Sequence, residues 1–231
     1  DYHIVGVTHD EKGETQYERS AFLRNSRDFG VPQNRPRVYI VAFSRAYFGQ
    51  HISILPKEAP SKRSRTPVFE NLKDVLDEKV DPRFFLSSGY LETLEKHIVT
   101  QHDKGYGFGY CIVNAPEIKN PIANTLLATG GSGRERNLIY DPINGASCAG
   151  TSVKGKYSPI NDKYIRTMTP NEWGRLQGFI GYAFVDENGA DQFSFPEGIP
   201  NVQKFKQFGN SVTIPVIEEY AIFIQKCCDI M

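Results

Sequence analysis

A run of strand-forming residues entered through a turn constrains this chain more than any other feature. Gly30-Val31-Pro32 leads into Gln33-Asn34-Arg35-Pro36-Arg37, and Val38-Tyr39-Ile40-Val41-Ala42-Phe43 follows. Six consecutive β-branched, aromatic or small residues predict a buried strand over 38–43. In an extended segment, positions 33, 35 and 37 share one face. An amide and two guanidiniums converging at the mouth of a buried strand make a fork for a phosphate, a carboxylate or a base edge. A salt bridge at a strand rim fits the same three residues, and this stretch alone does not decide between the two.

At 231 residues the chain can bury a sizeable core in one or two domains. It is 39% hydrophobic and 23% charged, which argues against disorder. Lys+Arg and Asp+Glu both total 27, so a nucleic-acid partner has to be held by a local basic face. Cys111, Cys148, Cys227 and Cys228 show neither zinc-ligand spacing nor the density of a disulfide framework. A reduced, cytoplasmic setting is expected, with no metal site. No apolar run is long enough to span a bilayer and no signal peptide is evident, so no membrane partner is expected. The chain opens at Asp1, in mid-pattern, and reads as a piece of something longer.

Tyr2 to Val7 is a short strand candidate, and residues 17–29 are weakly helical up to Gly30. Residues 56–67, with three prolines and the cluster Lys62-Arg63-Ser64-Arg65, read as an exposed, solvated linker. A short helix is expected from Glu70 to Leu76. Ser88 suits the cap of a longer one that buries Leu91, Leu94 and Ile98. Residues 101–153 are glycine-rich and lack helical periodicity, which predicts a small, mostly β region of short strands and long loops. Thr169-Pro170-Asn171-Glu172 carries a capping box with proline at the first helical position, so Trp173, Leu176 and Phe179 should bury. Asn201 is a candidate cap for a helix closed by Gly209. The last helix, about 213–228, shows Ile214, Ile217, Ala221, Ile224 and Cys228 as its core stripe.

Gln207-Phe208-Gly209-Asn210-Ser211-Val212 places a glycine and two small polar residues just before that helix, suited to a ligand carboxylate or hydroxyl. A plain helix cap fits it as well. Three stretches occur in order: Gly30-Val31-Pro32-Gln33-Asn34-Arg35-Pro36-Arg37; Arg166-Thr167-Met168-Thr169-Pro170-Asn171-Glu172 with Arg175-Leu176-Gln177-Gly178-Phe179; and Gln207 to Val212. Together they closely resemble the last three conserved blocks of the DNA (cytosine-5)-methyltransferases. The region between the first two resembles that family's target-recognition domain, and the resemblance spans essentially the whole chain.

The resemblance implies an α/β fold, the C-terminal part of a class I S-adenosylmethionine-dependent methyltransferase-like domain with a mostly β recognition domain inserted. Residues 1–44 would end the catalytic domain, 45–200 would hold target recognition, and 201–231 would return to the catalytic domain. Arg37 would contact the target cytosine, with Arg35 and Gln33 in support. Asn210, Ser211 and Val212 would line the S-adenosylmethionine pocket. Thr125, Gly130 and Gly131 would meet double-stranded DNA. Arg134 and Arg136 would read bases or bind phosphate, and Arg166 joins this DNA-facing set. The family's Pro-Cys nucleophile and glycine-rich cofactor loop are absent, so the catalytic N-terminal part is expected elsewhere, in the same gene or a separate subunit. The whole enzyme would act on a short duplex site in a bacterial restriction–modification system, close to the nucleoid. A stand-alone DNA-binding module without catalysis is the other reading.

Overall fold

The structure, a computed structural model, describes residues 1–107, 109–129 and 134–230. Near the start, β1 (Tyr2–Ile4) and β2 (Val7–His9) are separate strands, because Gly6 between them adopts a φ of +86°. A hairpin joins β2 to β3 (Thr15–Tyr17). The segment expected to be weakly helical instead places β4 (Leu23–Asn25) between two 3-10 turns, Arg19–Ala21 and Ser26–Phe29. Asn25 accounts for much of this: its side-chain oxygen accepts from Arg35 N at 2.9 Å, tying β4 to the next strand.

The strand-forming run divides into β5 (Gln33–Asn34), β6 (Pro36–Val38) and β7 (Ala42–Ser44). β6 pairs with β4 and β7 with β1, both antiparallel. β5 pairs in parallel with β8 (Ala123–Asn124), ninety residues away. Val41 and Phe43 turn inward, whereas Val38 and Ile40 are 66% and 65% exposed. The expected buried strand is thus interrupted at 39–41 and covered on one face only. β9 (Leu138–Tyr140) and β10 (Ile165–Thr167) form a separate antiparallel pair.

Helix α1 (Arg45–Phe48) is one turn. A 3-10 turn, Leu72–Val75, replaces the short helix expected at 70–76. Helix α2 (Ser88–Asp103) starts one residue before its expected position, capped at Ser87, and buries Leu91 and Leu94. After the short α3 (Pro142–Gly145) comes α4 (Pro170–Gln177), with the capping box formed in both directions. Thr169 Oγ1 accepts from Glu172 N at 3.2 Å, and Glu172 Oε2 accepts from Thr169 N at 2.8 Å. Trp173 and Leu176 are buried by it.

Helix α5 runs Asn201–Asn210, with Pro200 and not Asn201 at its cap, and it passes through Gly209 instead of ending there. A Cβ at Gly209 would lie 2.5 Å from the Leu127 carbonyl oxygen, so this glycine serves close packing and not chain reversal. Helix α6 (Ile214–Cys228) buries Val216, Tyr220 and Cys227. Ile217, Ala221 and Ile224, expected in the core, face out.

The face that α6 buries brings its Glu218–Glu219 edge against the 61–67 segment. Arg63 reaches Glu218 at 3.1 Å, Arg65 reaches Glu218 at 2.9 Å and Glu219 at 3.2 Å, and Ser64 Oγ donates to Glu219 at 2.9 Å. These contacts fasten the Glu218–Glu219 edge of the helix to the 61–67 segment. The basic cluster read as a solvated linker is therefore pinned to α6, with the Arg63 side chain only 7% exposed. One apolar core joins Leu72, Leu126, Ile139, Trp173, Phe205 and Phe208; a second joins Val5, Phe29, Val41, Phe43, Val216 and Tyr220.

Candidate nucleic-acid interface and methyl-transfer wall

The three sequence blocks meet in a buried hydrogen-bond knot. Gln33 Nε2 donates to the Leu176 carbonyl at 3.0 Å. Arg35 Nη1 donates to Leu126 O at 2.8 Å, and its Nη2 to Gly209 O at 2.9 Å and Ser211 O at 2.8 Å. Gln177 Nε2 donates to Phe208 O at 3.0 Å, while its Oε1 accepts from Thr213 Oγ1 at 2.8 Å. Thr213 in turn meets Ser26 Oγ at 2.7 Å. Alternation along β5 and β6 drives Gln33 and Arg35 inward. The carbonyls they meet belong to places where the backbone leaves regular pairing: the end of α4, the end of α5 and the stretch after β8.

The open fork expected of Gln33, Arg35 and Arg37 is therefore not formed. Gln33 is fully buried and Arg35 is 3% exposed, so neither can touch a substrate in this arrangement. Burial, and then the like charge of Arg37, pushes the Arg35 pKa down to about 10. Arg37 alone of the three is partly exposed, and its Nη1 donates to the carbonyl of its neighbour Pro36 at 2.7 Å. Arg166 is a second correction. Its side chain is wholly buried and forms ion pairs at 2.7 Å with both Asp141 and Glu172. Burial alone would lower its pKa, but Glu172 and Asp141 outweigh that and raise it. It holds β10 to α4 from inside the fold, with no part of its side chain at the surface.

On the opposite side of β5 and β6 from Arg35 lies a surface cleft of about 540 Å³, lined by Asn34, Pro36, Gly109, Tyr110, Asn124, Thr125 and Arg136, among others. Thr125 Oγ1 donates to Asn34 O at 2.8 Å, and Asn124 Nδ2 donates to Arg136 O at 2.8 Å. These bonds occupy the cleft's near wall and leave the Arg136 side chain exposed. A Cβ at Gly109 would lie 2.6 Å from Arg136 Nε, so a glycine there gives the guanidinium its room. Arg134 turns elsewhere, its Cζ 5.2 Å from the Phe205 ring centre. Gly130 and Gly131 lie outside the described residues.

At the elbow between α5 and α6, Asn210 and Val212 are exposed. Ser211 is half-buried, its Oγ donating to Phe208 O at 2.7 Å. The three form one wall, fastened by Arg35 through Ser211 O. Sequence reasoning gave no site role to Asn34, Asn124 or Tyr110; the pairing of β5 with β8 brings Asn34 and Asn124 together at the cleft, with Tyr110 beside them. It also passed over Arg24, buried with its guanidinium bonded to the carbonyls of Ser20, Leu23, Ala59 and Pro60. Among the described residues, no group of three or more His, Cys, Asp and Glu is placed to hold a metal, and no helix is long and apolar enough to cross a membrane.

This element order, with short strands and a closing pair of helices around an inserted loop-rich region, is that of a class I methyltransferase-like α/β fold. The structure of the Entamoeba histolytica methyltransferase EhMeth superposes with a TM-score of 0.56 at 16% identity, over 97% of this chain and 54% of that one. A Spodoptera frugiperda DNMT2 variant superposes at 0.50 and 16%, over 88% and 56%. The chain belongs to the C-5 cytosine-specific DNA methylase family, whose profile matches residues 3–226. Among curated relatives, the Type II methyltransferase M.HpaII of Haemophilus parainfluenzae is 36% identical over 194 residues, 84% of this chain and 47% of that protein. The Type II methyltransferase M.SsoII of Shigella sonnei is 30% identical over 196 residues, 85% of this chain and 41% of that protein. The chain thus spans about half the length of the relatives it matches.

Proposed function

We propose that this chain is the recognition half of a DNA (cytosine-5)-methyltransferase acting in a bacterial, cytoplasmic restriction–modification system. It would position duplex DNA and close the methyl-transfer site, the remaining catalytic half coming from the same gene or a separate subunit. The observation that carries this is the Arg35 knot, which ties the stretch after β8 to the α5–α6 elbow and so fixes the cleft and the wall relative to each other.

Methylating C5 requires a cytosine taken out of the base stack, since C5 and C6 are out of reach within it. A thiolate adds to C6, and charge then builds on the ring and O2. Arg37, partly exposed beside Arg35, is the cation assigned to O2. No cysteine here follows a proline as the family's nucleophile does, and burial pushes the Cys148 and Cys227 thiols up. S-adenosylmethionine supplies the methyl group when bound; Asn210, Ser211 and Val212 fit one side of its pocket, and the rest of the pocket would come from the complementary half. The exposed apolar residues Leu23, Val38 and Ile40 favour this reading over a stand-alone DNA-binding module, because a free module gains nothing from leaving them in water.

The test is single-turnover methylation by the reassembled enzyme at saturating DNA. Arg37→Ala should lower the rate by roughly a hundred- to thousandfold, the loss expected when a preorganised donor to a developing oxyanion is removed. Normal turnover by that variant would remove Arg37 from the chemistry.

A further inference from the structure

A second cleft, of about 310 Å³, lies on the other side of the turn that carries Arg136. The 3-10 turn Arg134–Asn137 has three residues per turn, so Arg134 and Arg136, two apart, project to different sides. Arg136 lines the cleft described above, and Arg134 lines this second one. Its other charged lining residues are Arg83, Lys156 and Glu135, leaving cations in excess.

The Val153–Tyr157 turn forms the rim. Gly155 adopts a φ of +89°, and Lys156 N donates to Val153 O at 3.1 Å. The turn is anchored just beyond its tip, where Ser158 Oγ accepts from Gly89 N at 2.9 Å and Pro159 O accepts from Ser88 N at 2.8 Å. From this fixed base Tyr157 stands wholly exposed, while Lys156 is half-buried next to Arg134. Burial, and then the Arg134 charge, lower the Lys156 pKa. Glu135, the acid of this cleft, already accepts from Tyr90 Oη at 2.7 Å. Arg83 is held at the edge by Asp81 at 2.8 Å. Like charges gathered beside an exposed aromatic ring on an anchored turn fit a polyanion with planar groups better than a merely solvated surface.

We propose that Lys156 and Tyr157, with Arg83, form a second duplex-DNA contact that grips backbone phosphates flanking the target site. This rests on the reading of the chain as a DNA-recognition half and adds to it a site outside the three sequence blocks. The contact is to phosphate and sugar, so it positions the duplex without reading sequence.

Binding of the full 231-residue chain to a fluorescent duplex, followed by anisotropy against salt, tests this. Lys156→Ala and Arg83→Ala should each weaken binding roughly threefold to tenfold on any sequence and flatten the log–log salt slope by about one. Tyr157→Ala should weaken binding without changing the slope, and its full exposure separates any loss from unfolding. If these variants bind like the parent while Arg136→Ala binds more weakly, the second contact is wrong and the recognition reading stands. If the parent chain binds no duplex at all, both fall.

Discussion

Arg35 and Gly209, 174 residues apart in sequence, are joined by a 2.9 Å hydrogen bond from a buried guanidinium to a helix-end carbonyl. The same guanidinium holds Leu126 and Ser211. One side chain therefore sets the distance between the stretch after β8 and the α5–α6 elbow. Replacing it with Met should cost about 3 kcal/mol or more, since three buried carbonyls lose their donor and each costs roughly 1–3 kcal/mol. Arg35→Lys should recover little, because an ammonium cannot span three carbonyls in a planar fork. Urea denaturation followed by tryptophan fluorescence checks both, as Trp173 lies in the adjoining core. Stability unchanged in Arg35→Met would remove the knot from its structural role.

Gly209→Ala should destabilise by about 1–3 kcal/mol through overpacking, with its Cβ forced against Leu127 backbone. Gly107→Ala, where nothing lies within 4 Å, should stay within about 0.5 kcal/mol of the parent. Equal melting temperatures for the two variants would contradict the packing assigned to Gly209.

Arg166→Met should be among the most damaging single changes, about 3–5 kcal/mol, because Asp141 and Glu172 are left buried without their cation. Glu172 also caps α4, so the helix carrying Trp173 and Leu176 loosens with it. Were Arg166 a DNA contact instead, the same change would spare folding and weaken DNA binding alone.

Glu218 makes stability depend on acid pH. Burial alone would raise its pKa, but hydrogen bonds from Arg65, Tyr182 and Arg63 bring it down to about 2 from an ordinary value of 4.5. A depressed carboxylate stabilises the fold fully above its unfolded pKa and progressively less as pH falls toward its folded one. The contribution is therefore complete above about 4.5 and lost toward 2. Glu218→Gln should lower stability near neutrality and flatten the acid limb over that window; an unchanged acid limb would place the titration elsewhere.

Local signals were legible in the sequence where the physics is local. The Thr169–Glu172 box is a three-residue reciprocity and appears as expected; α2 starts within a residue of its expected cap, and α6 matches its expected span to within a residue. Partnerships formed across the chain were not legible. Arg63 and Arg65 looked solvated because Glu218 and Glu219 lie more than 150 residues away in sequence. Arg166 looked available because Asp141 carries no motif and Glu172 reads as a helix cap alone. The strand-forming run was expected to be buried, yet Val38 and Ile40 remain in water, so its two apolar faces outnumber the one layer this chain packs on it.

Bisulfite sequencing of duplex DNA treated with S-adenosylmethionine and this chain, with and without the complementary half of the enzyme, is the most direct test of a recognition half. The expected result is no 5-methylcytosine from the chain alone, and methylation confined to one short sequence once the other half is added. Exchanging residues 101–136 for those of a relative should then move that sequence. Robust methylation by the isolated 231-residue chain would contradict the assignment, because none of its cysteines follows a proline as the family's nucleophile does.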